Sequence, residues 1–390
     1  MNSHLMQEDA LYVASTYKRY PVEIVSGKGA LLTDIDGKNY IDMCSGIAVN
    51  GFGACDPEWV AAVTAQLNRI QHTSNLFYTD PCVEVAKILT ERTGMKKVFF
   101  SNSGAEANEC AIKVARKYAA EHLGPQVSTI VTLKNSFHGR TLTTLAATGQ
   151  DHYHELFQPL TPGFAHVEPG DVEALEQLCD RGDVAAVMIE CIQGEGGVIP
   201  LSRKFASEVQ ELVRRRGILL IVDEVQTGNG RTGALYAYMN YGLTPDVVST
   251  AKGLGGGLPL GATLLGEKVQ NTFSFGDHGS TFGGNPVCCA GALSILSRLD
   301  DAFLAEVREK EQLLREKFSG VPGILEVSGM GLMLGLRTVR PAGEVIEDCR
   351  SRGVICIPAK NRVRLLPPLN IPKDLLMQAA QVICECCGEA

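Results

Sequence analysis

A chain of 390 residues with 45% hydrophobic and 21% charged side chains has the make-up of a soluble globular protein, long enough for two or three domains. Its formal net charge of −8 excludes nucleic-acid binding through a bulk positive field, so an anionic ligand has to be held by a few placed arginines. No apolar run is long enough to span a membrane, Met1 to Ala10 lack the apolar core of a signal peptide, and thirteen scattered cysteines point to reduced thiols in the cytoplasm.

From Tyr17 to Gly53, short β-rich pieces at 22–25, 30–33 and 40–43 are broken by turns, with a hairpin signal at Asp36-Gly37. Residues 1–45 are therefore expected to form an N-terminal segment packed with the smaller domain. Helical periodicity at 58–69 and 81–92 leads into a strand at 98–100, the turn Ser101-Asn102-Ser103-Gly104 and a helix over 105–120. Further buried-strand candidates lie at 129–133, 185–189, 218–222, 247–250 and 262–265, with a helix over 203–216. Strands alternating with helices predict an α/β architecture: a large domain, 46–297, with a mostly parallel sheet between helices. Ligands in such sheets bind at the carboxyl ends of the strands. After Thr281 the pattern changes to a long helix over 286–318, in two pieces around Asp300-Asp301. Short strands near 332–336, 354–357 and 363–366 and a last helix over 373–387 follow, a smaller α+β domain over 298–390.

The chemistry-bearing stretches fall at the predicted strand ends. In Ser101-Asn102-Ser103-Gly104-Ala105-Glu106, small residues at a helix start can cradle a phosphate, or Ser103 can serve as an N-cap with Glu106 completing a capping box. In Phe137-His138-Gly139-Arg140, Phe137 can stack on a flat ring and Arg140 can fork onto a carboxylate; core packing and a solvated arginine are the plain alternatives. Asp223 ends an apolar strand, where a buried carboxylate needs a cation, unless it caps a helix. Glu190 and Glu195 form a carboxylate pair at another strand end, but one tryptophan in the whole chain leaves little for sugar stacking, and loop carboxylates without a role are the alternative.

Lys252 follows an apolar strand and precedes four glycines in the next five positions, which reads as a reachable amine with room to swing, or as a surface lysine at a loop entrance. Gly228-Asn229-Gly230-Arg231-Thr232-Gly233 matches G-x-G-x-x-G, the pattern of a nicotinamide-dependent oxidoreductase. It follows its strand too late, however, and opens no long helix. Cys384, Cys386 and Cys387 have no second ligand pair, so no metal site is expected. Taken together, a lysine, a buried aspartate, an anion cradle, a stacking phenylalanine and placed arginines are what pyridoxal phosphate chemistry needs. In that reading Lys252 forms the Schiff base and Asp223 keeps the pyridine nitrogen protonated. Ser103, Gly104 and Ala105 hold the phosphate, and Phe137 packs on the ring.

At these residues the chain resembles the class III aminotransferases of PLP fold type I, from Thr16 to Arg364, which implies a seven-stranded sheet in the large domain. The runs that carry the likeness are SNSGAEANE at Ser101, FHGRT at Phe137, QGEGG at Gln193, DEVQTGNGRTG at Asp223 and AKGLGGGLPLGA at Ala251. GSTFGGNP at Gly279 and VRLLPPL at Val363 extend it. The resemblance implies that Gln226 bonds the ring hydroxyl, that Val225 supports the ring face opposite Phe137, and that Thr281 reaches the phosphate of a neighbouring subunit in a homodimer with shared active sites. It implies further that Arg140 and Arg364 clamp the carboxylates of glutamate, that Glu195 masks Arg364 when the other substrate binds, and that Ser280 lies near that substrate. The implied reaction moves the terminal amine of an acylated ornithine, N2-acetyl-L-ornithine first, to 2-oxoglutarate; ornithine, succinylornithine, 4-aminobutyrate and lysine-pathway amines are the rival donors. Two departures stand out: Ala54-Cys55 replaces a histidine-rich turn, and Cys191 a proline.

Overall fold

The computed structural model describes residues 4–388; the first three and last two residues, parts of the expected segments 1–45 and 298–390, lie outside it. Seven strands form the central sheet: β1 (Lys97–Ser101), β2 (Thr129–Leu133), β3 (Phe164–Val167), β4 (Val184–Ile189), β5 (Leu219–Asp223), β6 (Val247–Thr250) and β7 (Gly261–Leu265). Their spatial order is β1-β7-β6-β5-β4-β2-β3. β7 runs antiparallel to both neighbours, while the other pairs are parallel. β2, β4, β5, β6 and β7 are buried at every residue, which is why their sequences run apolar or small without alternation: both faces are covered. β3 was not apparent in the sequence. It is the edge strand, and Phe164-Ala165-His166 is only half-buried, so no apolar run marks it.

The covering helices follow from their caps and stripes. Ser103 accepts the N–H of Glu106 at 3.2 Å and starts the helix Gly104–His122. Ala107, Ala111, Ala115 and Ala119 recur every fourth residue on its buried face, and the helix packs on β6 and β7. The helix Arg203–Arg216 begins at Ser202, buries Phe205, Val209, Leu212 and Val213, and ends at Gly217 in the left-handed region. Each of those four side chains contributes roughly 1.5–3 kcal/mol by leaving water.

The expected break near Asp300-Asp301 is real: Pro286–Leu296 ends before Asp300, whose carboxylate caps Phe303 at 2.8 Å to start Asp301–Phe318. Beyond it, Ile324–Met330, Met333–Thr338, Arg362–Leu365 and Ile357–Ala359 form an antiparallel sheet, followed by the helix Lys373–Gly388. The first of these strands escaped the sequence reading because its Ile-Leu-Glu-Val-Ser-Gly-Met run is mostly half-buried or exposed. The N-terminal strands Ile24–Lys28, Leu31–Asp34 and Asn39–Asp42 join this part of the chain, since Ile41 pairs with Val354. Their turn is held by Asp34, which accepts the N–H groups of Asp36 and Lys38 at 3.1 and 2.9 Å.

The G-x-G-x-x-G loop lies between the two parts. Arg231, fully buried, donates to the carbonyls of Leu332 and Pro367, and burial pushes its basicity down to about 9. Gly228 packs on the carbonyl of Glu224, where a Cβ would stand 2.7 Å from the oxygen. These glycines therefore serve close packing, and only the short helix Ala237–Tyr241 follows them.

Candidate active site

A cavity of about 450 Å³ opens at the carboxyl ends of β1, β2, β4, β5 and β6, a size that suits a small aromatic ligand. Its lining brings together Ser103, Gly104, Ala105, Phe137, Arg140, Asp223, Val225, Gln226 and Lys252 from four separate segments that follow four of these strands.

Asp223 is 4% exposed. Its Oδ2 accepts from His138 Nδ1 and Asn108 Nδ2, both at 2.8 Å, and its Oδ1 from the N–H of Val225 at 2.9 Å. Burial opposes charging His138, but the hydrogen bond and charge of Asp223, helped by Glu190, outweigh it and raise the imidazole above its usual range. The other ring nitrogen of His138 and the Asn108 carbonyl are buried without partners. The helix-cap alternative for Asp223 is thus replaced by a buried carboxylate bonded to a histidine.

Lys252 follows β6 and takes a left-handed φ of 47°, a conformation that costs a non-glycine residue roughly 1–2 kcal/mol. Asn229 holds the turn by donating to Thr250 Oγ1 at 3.0 Å and to the Ala251 carbonyl at 3.1 Å. Burial lowers the basicity of the amine, against the charge of Glu195 and together with that of Arg364. The glycines after Lys252 have a different reason from the one expected. A Cβ on Gly255 would stand 2.1 Å from the Leu258 carbonyl, and Gly256 and Gly257 have φ of 60° and 129°, so the turn itself demands them.

At the start of Gly104–His122 the Ser103 cap is present, but Glu106 reaches one residue beyond a capping box, to the N–H of Asn102 at 2.6 Å. The N–H groups of Gly104 and Ala105, in the first turn, have no acceptor within the helix, and both residues face the cavity. A Cβ on Gly104 would meet Val225 Cγ1 at 2.6 Å, so the cradle and Val225 are in close contact.

Arg364, 3% exposed, donates to Glu195 through Nη1 at 2.5 Å and Nη2 at 3.3 Å, and to Gln226 Oε1 at 3.1 Å. Burial works against ionised Glu195, but the charge and hydrogen bonds of Arg364 prevail and hold the carboxyl below its usual range. Gln226 Nε2 donates to Glu195 Oε1 at 3.3 Å, closing a three-residue cluster. Arg140 is exposed, its guanidinium 4.0 Å from the Tyr153 ring centre and 5.5 Å from that of Phe137. Ser280 and exposed Thr281 lie outside the cavity, in a neighbouring groove. Asn102, which lines both spaces, donates to Ser280 Oγ at 3.3 Å.

Sequence reasoning assigned no role to Asn108, His138 or Asn229, and treated Glu190 as a loop carboxylate. Their partners are 115, 85 and 22 positions distant for Asn108, His138 and Asn229, so spacing along the chain carries no signal. Ala54, Cys55 and Cys191 are not among the cavity-lining residues, so the two departures leave the cavity wall intact.

A phosphate-bearing aromatic cofactor fits these residues: free helix N–H groups at one end, a buried carboxylate and an amine of lowered basicity at the other. A family model for aminotransferase class-III matches residues 12–387. An acetylornithine aminotransferase of Haemophilus ducreyi is 47% identical, covering 100% of the chain and 99% of that protein. A solved ornithine aminotransferase from Toxoplasma gondii, reported with partial occupancy of PLP at its active site, superposes with a TM-score of 0.94 at 32% identity, covering 100% and 95% of the two chains. An N-acetylornithine aminotransferase structure from Stenotrophomonas maltophilia gives a TM-score of 0.84 at 35% identity, with 98% of each chain covered.

Proposed function

The chain belongs to the class III aminotransferases, and from that premise we propose that it moves the terminal amino group of N2-acetyl-L-ornithine to 2-oxoglutarate, a step of arginine biosynthesis. The products are N-acetyl-L-glutamate 5-semialdehyde and L-glutamate. Pyridoxal 5'-phosphate, when bound, supplies the electron sink that lets an amine carbon lose its proton. Lys252 would hold the cofactor and, once displaced by substrate, would take the proton from the amine-bearing carbon and hand it to the cofactor side, a task suited to an amine whose basicity burial has lowered. Asp223, backed by His138 and Asn108, holds the ring nitrogen protonated. Ser103, Gly104 and Ala105 take the phosphate, with Phe137 and Val225 on the two ring faces and Gln226 at the ring hydroxyl.

The observation that carries this reading is the Glu195–Arg364 pair. An arginine already neutralised by a glutamate can accept a substrate with no second carboxylate; once the glutamate turns away, the same arginine receives a dicarboxylate. Arg140, exposed on the Tyr153 ring, takes the carboxylate farther from the reacting carbon, the single one of the donor included, and Ser280 borders the donor. Relatives 47% and 44% identical over nearly the whole chain are acetylornithine aminotransferases, which favours the acylated donor.

The working unit is a homodimer with shared active sites. Leu76, Phe77, Tyr78, Phe275 and Phe282 are large apolar side chains more than half exposed, the last beside Thr281, and a second copy would cover them while Thr281 reaches its cofactor. The division into 1–45, 46–297 and 298–390 belongs to the same proposal, supported by the Ile41–Val354 pairing. So does a cytoplasmic setting, consistent with thirteen free cysteines. Initial rates with 2-oxoglutarate and each of N-acetylornithine, ornithine, succinylornithine and 4-aminobutyrate test the donor. N-acetylornithine should give the highest kcat/KM, and a higher value for any of the others overturns the assignment.

A further inference from the structure

Glu190 stands one residue beyond β4, lines the cavity and is 5% exposed. Its Oε2 accepts the N–H of Phe137 at 3.0 Å, and its Oε1 the N–H of Gly194 at 3.4 Å. These amides belong to two different loops: one presents Phe137 and Arg140, the other carries Glu195. The second loop is packed without slack, since a Cβ on Gly194 would stand 2.5 Å from Gln226 Oε1. Gln226 in turn bonds both Glu195 and Arg364.

We infer that Glu190 is a positioning residue whose carboxylate ties the Phe137 loop to the Glu195 loop, so that the ring-facing aromatic and the charges that meet substrate keep one arrangement around Lys252. This rests on the aminotransferase reading above. An ionised carboxylate accepts from both loops at once. A protonated one carries an O–H on one oxygen, which is then a neutral and weaker acceptor for the facing amide. One tie is therefore weakened on protonation.

The surroundings put that change near neutrality. No lysine or arginine among the described residues forms an ion pair with Glu190. Burial pushes its carboxyl up to about 7, with His138 on the Phe137 loop favouring ionisation and Asp223 at the end of β5 opposing it. Its charge also bears on Lys252 after β6 and on the neighbouring Cys191 thiol.

The test needs no variant to begin. In the full-length holoenzyme, the amide protons of Phe137 and Gly194, followed by NMR from about pH 6 to pH 8.5, should shift with one common midpoint near neutrality. Glu190→Gln, which copies the protonated acid, should abolish that shift. It should also lower kcat/KM for donor and acceptor about tenfold, mainly through KM, and remove the wild-type fall in kcat/KM below neutrality. Amides that shift independently or not at all, or a Gln variant with the wild-type pH profile, overturn the inference. A wild-type protein without transaminase activity refutes the functional reading instead, and the amide titration still decides the tie.

Discussion

The floor and the rim of the cavity hold their charges in different ways. On the floor, Asp223 is fixed by three hydrogen bonds from His138, Asn108 and Val225, each from a different position in the chain. At the rim, Arg140 rests on the Tyr153 ring, and Glu195 and Arg364, which do not line the cavity, hold each other and the cavity-lining Gln226. The floor is a single-state site suited to a permanently bound group. The rim is an exchangeable pair suited to two substrates that differ by one carboxylate. The same side-chain types do both jobs; the number and origin of their partners separate them.

The largest expected effect is on the floor. Lys252→Ala should abolish the visible absorption of the bound cofactor and lower transamination by at least about 10³-fold; a spectrum and a rate close to wild type would remove the lysine from the chemistry. Asp223→Asn should cost about 10²-fold in kcat for every substrate alike. It should also leave His138 without the charge that keeps it protonated, so that burial drives the ring neutral, a change visible in the imidazole nitrogen spectrum. An effect confined to one substrate would place Asp223 with the rim.

At the rim, Arg364→Ala should be selective. The half-reaction with 2-oxoglutarate should weaken by about 10²-fold in kcat/KM, while the half-reaction with N-acetylornithine changes much less. Equal losses in the two half-reactions would mean that the pair serves structure and not selection. Glu195, left buried without its cation, should then titrate higher than it does beside Arg364.

The smallest effect is on stability. Glu190 and Glu224 are both raised by burial to about 7, far above an unfolded glutamate. As pH falls from about 8 to 6.5 the folded chain takes up protons that the unfolded chain does not, so stability rises as pH falls, by on the order of 1–2 kcal/mol for the two groups. His138, also raised, has the same sign; His166, pushed down to about 4 by burial and its histidine neighbours, is neutral in both states over most of this window. Lys252, with lowered basicity, pulls the other way. The measurement is therefore a difference: thermal midpoints of Glu224→Gln should depend less steeply on pH than those of the wild type, and an equal slope would refute the assignment.

The sequence revealed the fold where strands are covered on both faces, as at Leu219-Leu220-Ile221-Val222, because such strands need unbroken apolar runs. It failed at Phe164–Val167 and Ile324–Met330, where part of each strand faces solvent and the apolar signal thins. The site divided likewise. Lys252 and Asp223 were visible because each places a charge at the end of an apolar strand, whereas Arg364 came only with the family resemblance. His138 and Glu190 were not given their roles, because what matters in them is a neighbour reached only after the sheet has formed. The glycines after Lys252 were seen and misread, since a glycine run signals a tight turn without saying which carbonyl it has to clear.

Arg231 sets a limit on how such an enzyme can move. Its buried guanidinium is satisfied by carbonyls of the C-terminal part of the chain, at Leu332 and Pro367. Hinge rotation of that part as a rigid body would strip the cation of its acceptors in a place water does not reach, at a cost of several kcal/mol. Turning the Glu195 side chain away from Arg364 breaks a pair next to the cavity-lining Gln226 and needs no movement of that part of the chain. In the proposed function, adaptation to substrate then needs only a change of the Glu195 rotamer, which is fast enough to occur twice in every catalytic cycle.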